Sequence, residues 1–131
     1  MRPIRCIREN VDEQLLVELR SQWLAQREEI ERLRDLYRLL GNETRLSILW
    51  LLAQPKGREL CPCDLADVLG LSVPAVSQQL QRLRAARLVR NRRQGKTVFY
   101  SLTETAQRLL SGGAALLPES PPPRDKEEGE E

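Results

Sequence analysis

The spacing of apolar residues along the chain predicts a series of helices followed by a pair of strands. Between Asp12 and Leu40 the apolar positions recur at heptad-like intervals, with Gln26 as the one polar interruption. This pattern predicts a long helix with a candidate break near Ser21. A domain of this size cannot bury the whole stripe internally, so the stripe is predicted to pack on a helix from a second copy of the chain. An ordinary core helix remains the alternative for its C-terminal half. The stripe consists of Leu16, Leu19, Trp23, Ile30, Leu33, Tyr37 and Leu40.

Three shorter helices are predicted from their end signals. Asn42 is typical of an N-cap, and the strongly apolar segment after it must end before Pro55. A second helix is predicted over Pro62–Leu69 and closes at Gly70, and Ser72 caps a third. Two short helices joined by such a tight connection are typical of a helix-turn-helix.

The pattern then changes to the alternation that is typical of strands. It predicts a strand over Leu88–Arg93, a turn at Gln94–Gly95 and a second strand over Lys96–Leu102. A hairpin that directly follows a helix-turn-helix is a wing. A last helix is predicted over Glu104–Leu117. The predicted fold class is therefore mainly α with a small β-hairpin, a winged helix-turn-helix that dimerises through its first and last helices.

The chain is predicted to consist of three segments. Residues 1–11 are predicted to form an N-terminal arm that carries Cys6, and residues 12–117 to form the winged-helix DNA-binding and dimerisation domain. Residues 118–131 are rich in proline and acidic side chains and are predicted to be disordered.

Composition excludes several classes of protein. The chain has 131 residues, of which 40% are hydrophobic, 31% are charged and only 4% are aromatic, which indicates a soluble protein with an aliphatic core. No apolar stretch approaches the roughly 20 residues that span a bilayer, so no membrane association and a cytoplasmic location are expected. Histidine is absent, which removes the most common general base and argues against an enzyme.

Charge is distributed very unevenly. No acidic residue occurs from Leu71 through Leu102, whereas seven basic residues lie between Arg82 and Lys96. Such a cluster is typical of a protein that binds a polyanion, and its position on the third short helix and the wing favours double-stranded DNA. A solvated basic face without a partner is the alternative.

The exposed side of the third short helix carries side chains that can contact base edges. Glutamine can form two hydrogen bonds with adenine, serine bonds many groups, and alanine or proline can touch a thymine methyl group. Arginine and lysine on the helix and wing suit phosphates and the minor groove. The predicted DNA-binding residues are Ser72, Pro74, Ala75, Ser77, Gln78, Gln79, Gln81, Arg82, Arg84, Arg92, Arg93 and Lys96.

The three cysteines form the second candidate site. Cys61 and Cys63 are separated by one residue, which is not the C-x-x-C spacing of redox or zinc-ribbon pairs. The spacing nevertheless allows both sulfurs to converge on one soft ion, and Cys6 could supply a third sulfur. A site built from thiolates favours cadmium, lead, arsenite, mercury or copper(I) over hard cations. Two alternatives are that the cysteines are packed structural residues and that they form a redox switch.

Three segments resemble the ArsR/SmtB family of bacterial metal-sensing repressors. They are Glu59-Leu60-Cys61-Pro62-Cys63-Asp64-Leu65-Ala66, the run from Leu71 to Leu80, and the wing from Arg93 to Tyr100. The resemblance implies a winged-helix homodimer that covers an operator and releases it when metal binds. It also implies that Cys61 and Cys63 are thiolate ligands and that Cys6 of the other subunit completes the site.

The sequence departs from the family pattern in three ways. Pro62 replaces the usual aliphatic residue, only one N-terminal cysteine is present, and the last helix offers Glu104 but no histidine for a zinc site. The functional prediction is a repressor that binds operator DNA as a homodimer and leaves it when a soft metal ion or arsenite binds. A thiol redox-sensing winged-helix regulator is the alternative.

Overall fold

The computed structural model describes residues 6–55 and 59–115, which fold into helices and one hairpin. The described residues form two compact units, one ending at Arg38 and the other beginning at Leu39. Within these ranges the mainly helical fold with a small β-hairpin is confirmed, while the predicted domain boundaries remain a prediction. In chain order the elements are α1 (Glu13–Ala25), α2 (Arg27–Leu40), α3 (Glu43–Ala53), α4 (Pro62–Leu69), α5 (Val73–Ala85), β1 (Val89–Gln94), β2 (Thr97–Leu102) and α6 (Glu104–Ala115).

The predicted long N-terminal helix is two helices, and the predicted break near Ser21 is wrong. Helix α1 begins after Asp12, whose carboxylate accepts a hydrogen bond from the Leu15 amide at 3.0 Å, and the break falls at Gln26. The Gln26 amide is shared between the carbonyls of Gln22 at 3.1 Å and Trp23 at 3.0 Å, so the last turn tightens and ends the helix. No residue of α1 or α2 is buried in the single chain, and the predicted apolar stripe is exposed except for the half-buried Leu40.

Local capping signals explain the boundaries of α3. The side chain of Asn42 accepts a hydrogen bond from the Arg45 amide at 3.0 Å, as its N-cap position requires. Ile48, Leu49 and Leu52 on one face of this helix are buried in the core of the second unit.

Helices α4 and α5 form the predicted helix-turn-helix. Helix α4 ends at Gly70, which adopts the left-handed conformation at φ +69° that glycine tolerates best. Ser72 Oγ then accepts the Ala75 amide at 3.2 Å and starts α5. Val76 and Leu80 of α5 are fully buried.

The hairpin is present, but its turn is one residue later than predicted. Strands β1 and β2 pair antiparallel from Val89 opposite Leu102 to Gln94 opposite Thr97, so Gly95 and Lys96 form the turn. Gly95 has φ +64°, the left-handed conformation that such tight turns use.

The core of the second unit is aliphatic, as the composition predicted. Among the described residues, Tyr100 is the one buried aromatic side chain. Helix α6 buries Ala106 in this core and is described as far as Ala115, so the predicted end at Leu117 and the predicted disordered tail lie outside the described residues. None of the described helices combines the length and the apolar character that a membrane span needs.

Candidate nucleic-acid interface and thiol site

Helix α5 turns one face into the core and leaves the predicted base-reading residues on the other. Pro74, Gln78 and Gln81 are exposed, and Ala75 and Ser77 are half-buried. The predicted face is therefore accessible for contacts with a large partner. An open depression of about 380 Å³ lies on this face, lined by Gln78, Gln81, Arg82 and Ala85.

Gln79 differs from the other glutamines because its side chain is already engaged. Its Oε1 atom accepts a hydrogen bond from Nη1 of Arg45 at 2.8 Å. A bidentate contact with adenine needs the amide oxygen as an acceptor and the amide nitrogen as a donor. In this arrangement, the Gln79 amide nitrogen remains available to donate, whereas its oxygen is held by Arg45.

Arg45 is a residue that the sequence reading missed. It is only 9% exposed, and its Nε donates to the Leu39 carbonyl while its Nη1 holds Gln79. The guanidinium therefore joins Leu39 to helix α5, which carries the predicted base-reading residues. The helical spacing contained a signal for it, since Arg45 lies three and four residues before the buried Ile48 and Leu49 and so shares their face.

Four of the five predicted phosphate-binding side chains are exposed cations without an acidic neighbour. Within the part of the chain that the structure describes, no carboxylate forms an ion pair with Arg82, Arg84, Arg93 or Lys96. Among residues 6–55 and 59–115, therefore, no carboxylate compensates their charge at short range, and such cations attract a polyanion.

Arg92 is different, because it is held by Glu59. Its Nε and Nη2 atoms donate to the two carboxylate oxygens of Glu59 at 2.8 Å each, and its Nη1 donates to Gln94 Oε1 at 2.9 Å. Its guanidinium also lies over the Phe99 ring, 5.2 Å from the centroid. The hydrogen bonds from Arg92 lower the pKa of Glu59, against a smaller opposing effect of desolvation. The same hydrogen bonds raise the pKa of Arg92. The sequence predicts that Arg92 binds DNA but does not identify Glu59 as its partner.

The Cys61 and Cys63 thiols lie at the start of α4. Cys61 is the N-cap residue and is half-buried, and Cys63 in the first turn is exposed. The Asp64 carboxylate accepts the Cys61 amide hydrogen bond at 3.1 Å and so fixes the backbone at the first thiol. Both thiols are free, and their soft sulfur donors suit soft ions.

Cys6 is a free and exposed thiol in the other compact unit. Over residues 6–55 and 59–115, no three His, Cys, Asp or Glu side chains are gathered into a group that could hold a metal ion. The structure therefore places two of the three predicted ligands on one helix end, and the ligand role of Cys6 remains a prediction.

The segment before Cys61 is bonded to the wing. Leu60 and Tyr100 exchange two backbone hydrogen bonds, with Tyr100 N–H donating at 2.8 Å and Leu60 N–H donating at 3.1 Å. Tyr100 lies in β2, and α4 itself packs against α5. The thiol pair is thus one residue from a contact with the wing and lies on the helix that supports the predicted recognition helix.

The part of the chain that contains the thiol pair and helix α5 also identifies the protein family. The sequence profile described as "Bacterial regulatory protein, arsR family" matches residues 42–91, from the cap of α3 into β1. The chain belongs to the arsR family. Its resemblance to this family is thereby confirmed across the helices that carry both candidate sites.

Two curated relatives illustrate the similarity of this arsR-family chain. It is 45% identical over 76 residues to the HTH-type transcriptional regulator KmtR of Mycobacterium tuberculosis, covering 58% of this chain and 56% of that protein. It is 44% identical over 69 residues to the arsenical resistance operon repressor of Escherichia coli, covering 53% and 57%. The chain thus spans little more than half the length of these relatives.

Solved structures share the fold over a larger part of the chain. The AntR antimony-specific transcriptional repressor superposes with a TM-score of 0.58 at 37% identity, covering 68% of this chain and 79% of that one. The homodimeric winged helix-turn-helix DNA-binding domain of Mb0332 from Mycobacterium bovis gives a TM-score of 0.61 at 28% identity, covering 70% and 82%. The winged helix-turn-helix architecture is therefore confirmed.

Proposed function

We propose that this arsR-family protein is a transcriptional repressor that binds operator DNA as a homodimer and leaves it when a soft metal ion or arsenite binds its thiolates. We place it in the cytoplasm, where bacterial operators lie. The observation that carries the proposal is the position of Cys61, one residue from the bridge between Leu60 and Tyr100 of the wing and at the start of the helix that packs on α5.

DNA binding is supported by the two surfaces that face away from the core. The exposed Gln78 and Gln81 on α5 can contact bases, and the exposed cations of α5 and the hairpin can contact phosphates. If one dimer makes about 6 to 10 phosphate contacts, its affinity should fall by roughly 10³ to 10⁵ between 50 and 200 mM salt. The salt dependence is thus a direct measure of how many cations take part.

Homodimerisation is supported by the exposed apolar stripe of α1 and α2. Trp23 is 49% exposed and Tyr37 is 65% exposed in the single chain, although both belong to the heptad-like pattern. A second copy would bury such a stripe, and the related Mb0332 domain is homodimeric. Two recognition helices about 34 Å apart would then match one turn of DNA.

The donor set supports a soft ligand. Two thiolates on one helix end, with the partner's Cys6 as a third ligand, would provide the three sulfurs that arsenite, lead and mercury accept, or a cadmium site with one further light ligand. The Escherichia coli relative is named for arsenical resistance and the AntR relative for antimony, which supports a trivalent metalloid among these candidates.

Release of DNA requires only a modest coupling between the two sites. Ligand binding at Cys61 and Cys63 would shift the start of α4, which supports α5, and would strain the bridge from Leu60 to the wing. A coupling of about 1 to 3 kcal/mol weakens DNA binding roughly 5- to 150-fold. By linkage, operator DNA must weaken ligand binding by the same factor.

The test is fluorescence anisotropy of a labelled duplex from the gene's own upstream region, with reduced protein titrated separately with cadmium and with arsenite. Release at about one equivalent per site, reversed by a competing dithiol, is the expected result. The Cys61→Ser, Cys63→Ser variant should bind the duplex as tightly as the parent and should no longer respond to either ion. The Cys6→Ser variant removes the proposed third ligand, and it should respond only at higher ion concentration.

The opposing results are distinct. Failure to bind the duplex overturns the repressor assignment. Tight binding that neither ion disturbs overturns metal sensing, and release by peroxide alone would assign the cysteines to a redox switch.

A further inference from the structure

The Glu59–Arg92 ion pair joins the predicted DNA-contacting wing to the segment just before Cys61. Arg92 presents two N–H groups to both oxygens of one carboxylate, each at 2.8 Å. This parallel, two-point geometry is the one in which a guanidinium also binds a phosphate group. Glu59 therefore occupies the position on Arg92 that a DNA phosphate would take.

The pair is placed so that this exchange is feasible. The side chains of Arg92 and Glu59 are 50% and 40% exposed, so solvent and a backbone phosphate can reach them. When the carboxylate leaves, Gln94 Oε1 at 2.9 Å and the Phe99 ring at 5.2 Å still hold the guanidinium over the hairpin. Arg92 thus remains oriented without Glu59.

The other predicted phosphate contacts have no such competitor. Arg93 next to it in β1 and Lys96 in the turn are exposed, and within the described ranges neither has an ion-pair partner. Within the described part of the chain, a competing carboxylate on a wing cation is therefore a feature of Arg92 that Arg93 and Lys96 do not share.

We propose that Glu59 is an intramolecular competitor of the DNA backbone for Arg92, so that it lowers the DNA affinity of the repressor. This inference rests on the proposed DNA-binding function. Binding exchanges one anion for another on the same guanidinium, and the carboxylate that is displaced stays close to the negatively charged duplex. Glu59 therefore sets the affinity through Arg92, without contacting DNA itself.

The experiment measures the affinity of four proteins for the labelled upstream duplex by anisotropy: the parent, Glu59→Gln, Arg92→Ala and the double variant. Glu59→Gln keeps the shape of the side chain but removes its charge, and it should tighten binding by about two- to fivefold per wing, the range expected for an exposed ion pair. Arg92→Ala should weaken binding. In the Arg92→Ala background, Glu59→Gln should have little effect, because the group for which it competes is gone.

Glu104→Gln is the control for the loss of one negative charge, since it removes another exposed carboxylate–arginine pair, the single hydrogen bond from Arg108 at 2.9 Å. It reports the effect of deleting one negative charge away from the wing. Circular dichroism of each variant confirms that the fold is retained.

The outcomes separate the inference from the function on which it rests. A Glu59→Gln variant that binds more weakly than the parent would mean that the ion pair holds the wing in its DNA-binding form and would overturn the inference alone. An equal gain with and without Arg92 would also overturn it, since the effect would then be general electrostatics. If neither the parent nor any variant binds the duplex, the proposed function fails and the inference fails with it.

Discussion

The hydrogen bond between Arg45 and Gln79 offers the sharpest test of the described packing. Arg45 is 9% exposed and joins Leu39 to α5 through the Leu39 carbonyl and Gln79 Oε1. The perturbation is a double-mutant cycle with Arg45→Met, Gln79→Ala and the combined variant. Methionine keeps much of the buried volume while it removes the charge and both donors.

The expected coupling follows from the geometry. A hydrogen bond to a charged group contributes about 1.5 to 3 kcal/mol net, and the 2.8 Å distance is typical of such bonds. Gln79 is half-buried, so water can partly replace it as a partner, which favours the lower end of that range. We therefore expect Arg45 and Gln79 to be coupled by about 1.5 kcal/mol. With a urea m-value of about 1 to 1.5 kcal/mol/M for a domain of this size, this coupling corresponds to roughly 1 M in the unfolding midpoint.

The assay is urea unfolding followed by far-UV circular dichroism, at one fixed protein concentration because dimerisation would otherwise shift the midpoint. Gln78→Ala on the exposed face of α5 is the matched control and should be additive with Arg45→Met. A coupling within about 0.3 kcal/mol of zero for the Arg45 and Gln79 pair would show that this hydrogen bond does not stabilise the fold, because independent sites add to within that error.

Two further changes in the same unit have opposite expected signs. Arg87 follows α5 with φ +60°, a left-handed conformation that costs a side-chain-bearing residue about 1 kcal/mol or more, so Arg87→Gly should raise the urea midpoint, and a lower midpoint would contradict this account. Leu80 in α5 is fully buried, so Leu80→Ala should destabilise the fold by about 3 to 5 kcal/mol, and a loss below about 1 kcal/mol in the same assay would show that the site is not packed as described.

Local signals were sufficient to predict most of the second unit. Asn42 and Ser72 cap helices as predicted because their side chains bond amides three residues ahead, which is a purely local geometry. Gly70 ends α4 because only a residue tolerant of positive φ fits there. Helix caps and helix ends of this kind depend on residues that are close in sequence, so they can be predicted from the sequence alone.

The predicted positions of the hairpin turn and of the helix break were wrong because the local sequence allows more than one position or does not mark the position. Gly95 can occupy either central position of a two-residue turn, so the pattern predicted Gln94–Gly95 where the structure forms Gly95–Lys96. The break between α1 and α2 falls at Gln26, where no proline or glycine marks it. A periodic apolar stripe predicts that the region is helical but not where the helix is interrupted.

Pairings over long sequence separations were beyond the sequence reading. Arg45 meets Gln79 across 34 residues, and Arg92 meets Glu59 across 33. Each pairing results from the way that helices and strands pack, and any of several arginines could have been the partner of either side chain. The sequence identified the types of side chain in the candidate site, whereas the fold determines which of these side chains are hydrogen-bonded to one another.

These pairings make three consecutive residues a junction between the thiol pair and the predicted DNA-binding surface. Glu59 bonds Arg92 of β1, Leu60 bonds Tyr100 of β2, and Cys61 begins α4 with its amide held by Asp64. A ligand that moves Cys61 therefore acts on both strands of the wing and on the helix that supports α5.

The magnitudes at this junction are sufficient for the proposed regulation. The two backbone bonds between Leu60 and Tyr100 contribute about 0.5 to 1.5 kcal/mol each, or about 1 to 3 kcal/mol together. That is the range of coupling free energies by which allosteric ligands typically act. If DNA binding requires this one bridge and the ligand breaks it, the loss would be enough to weaken DNA binding roughly 5- to 150-fold with no change in the packing of the core. The proposed response of the thiols to a ligand therefore needs a change at this edge of the second unit and none in its aliphatic core.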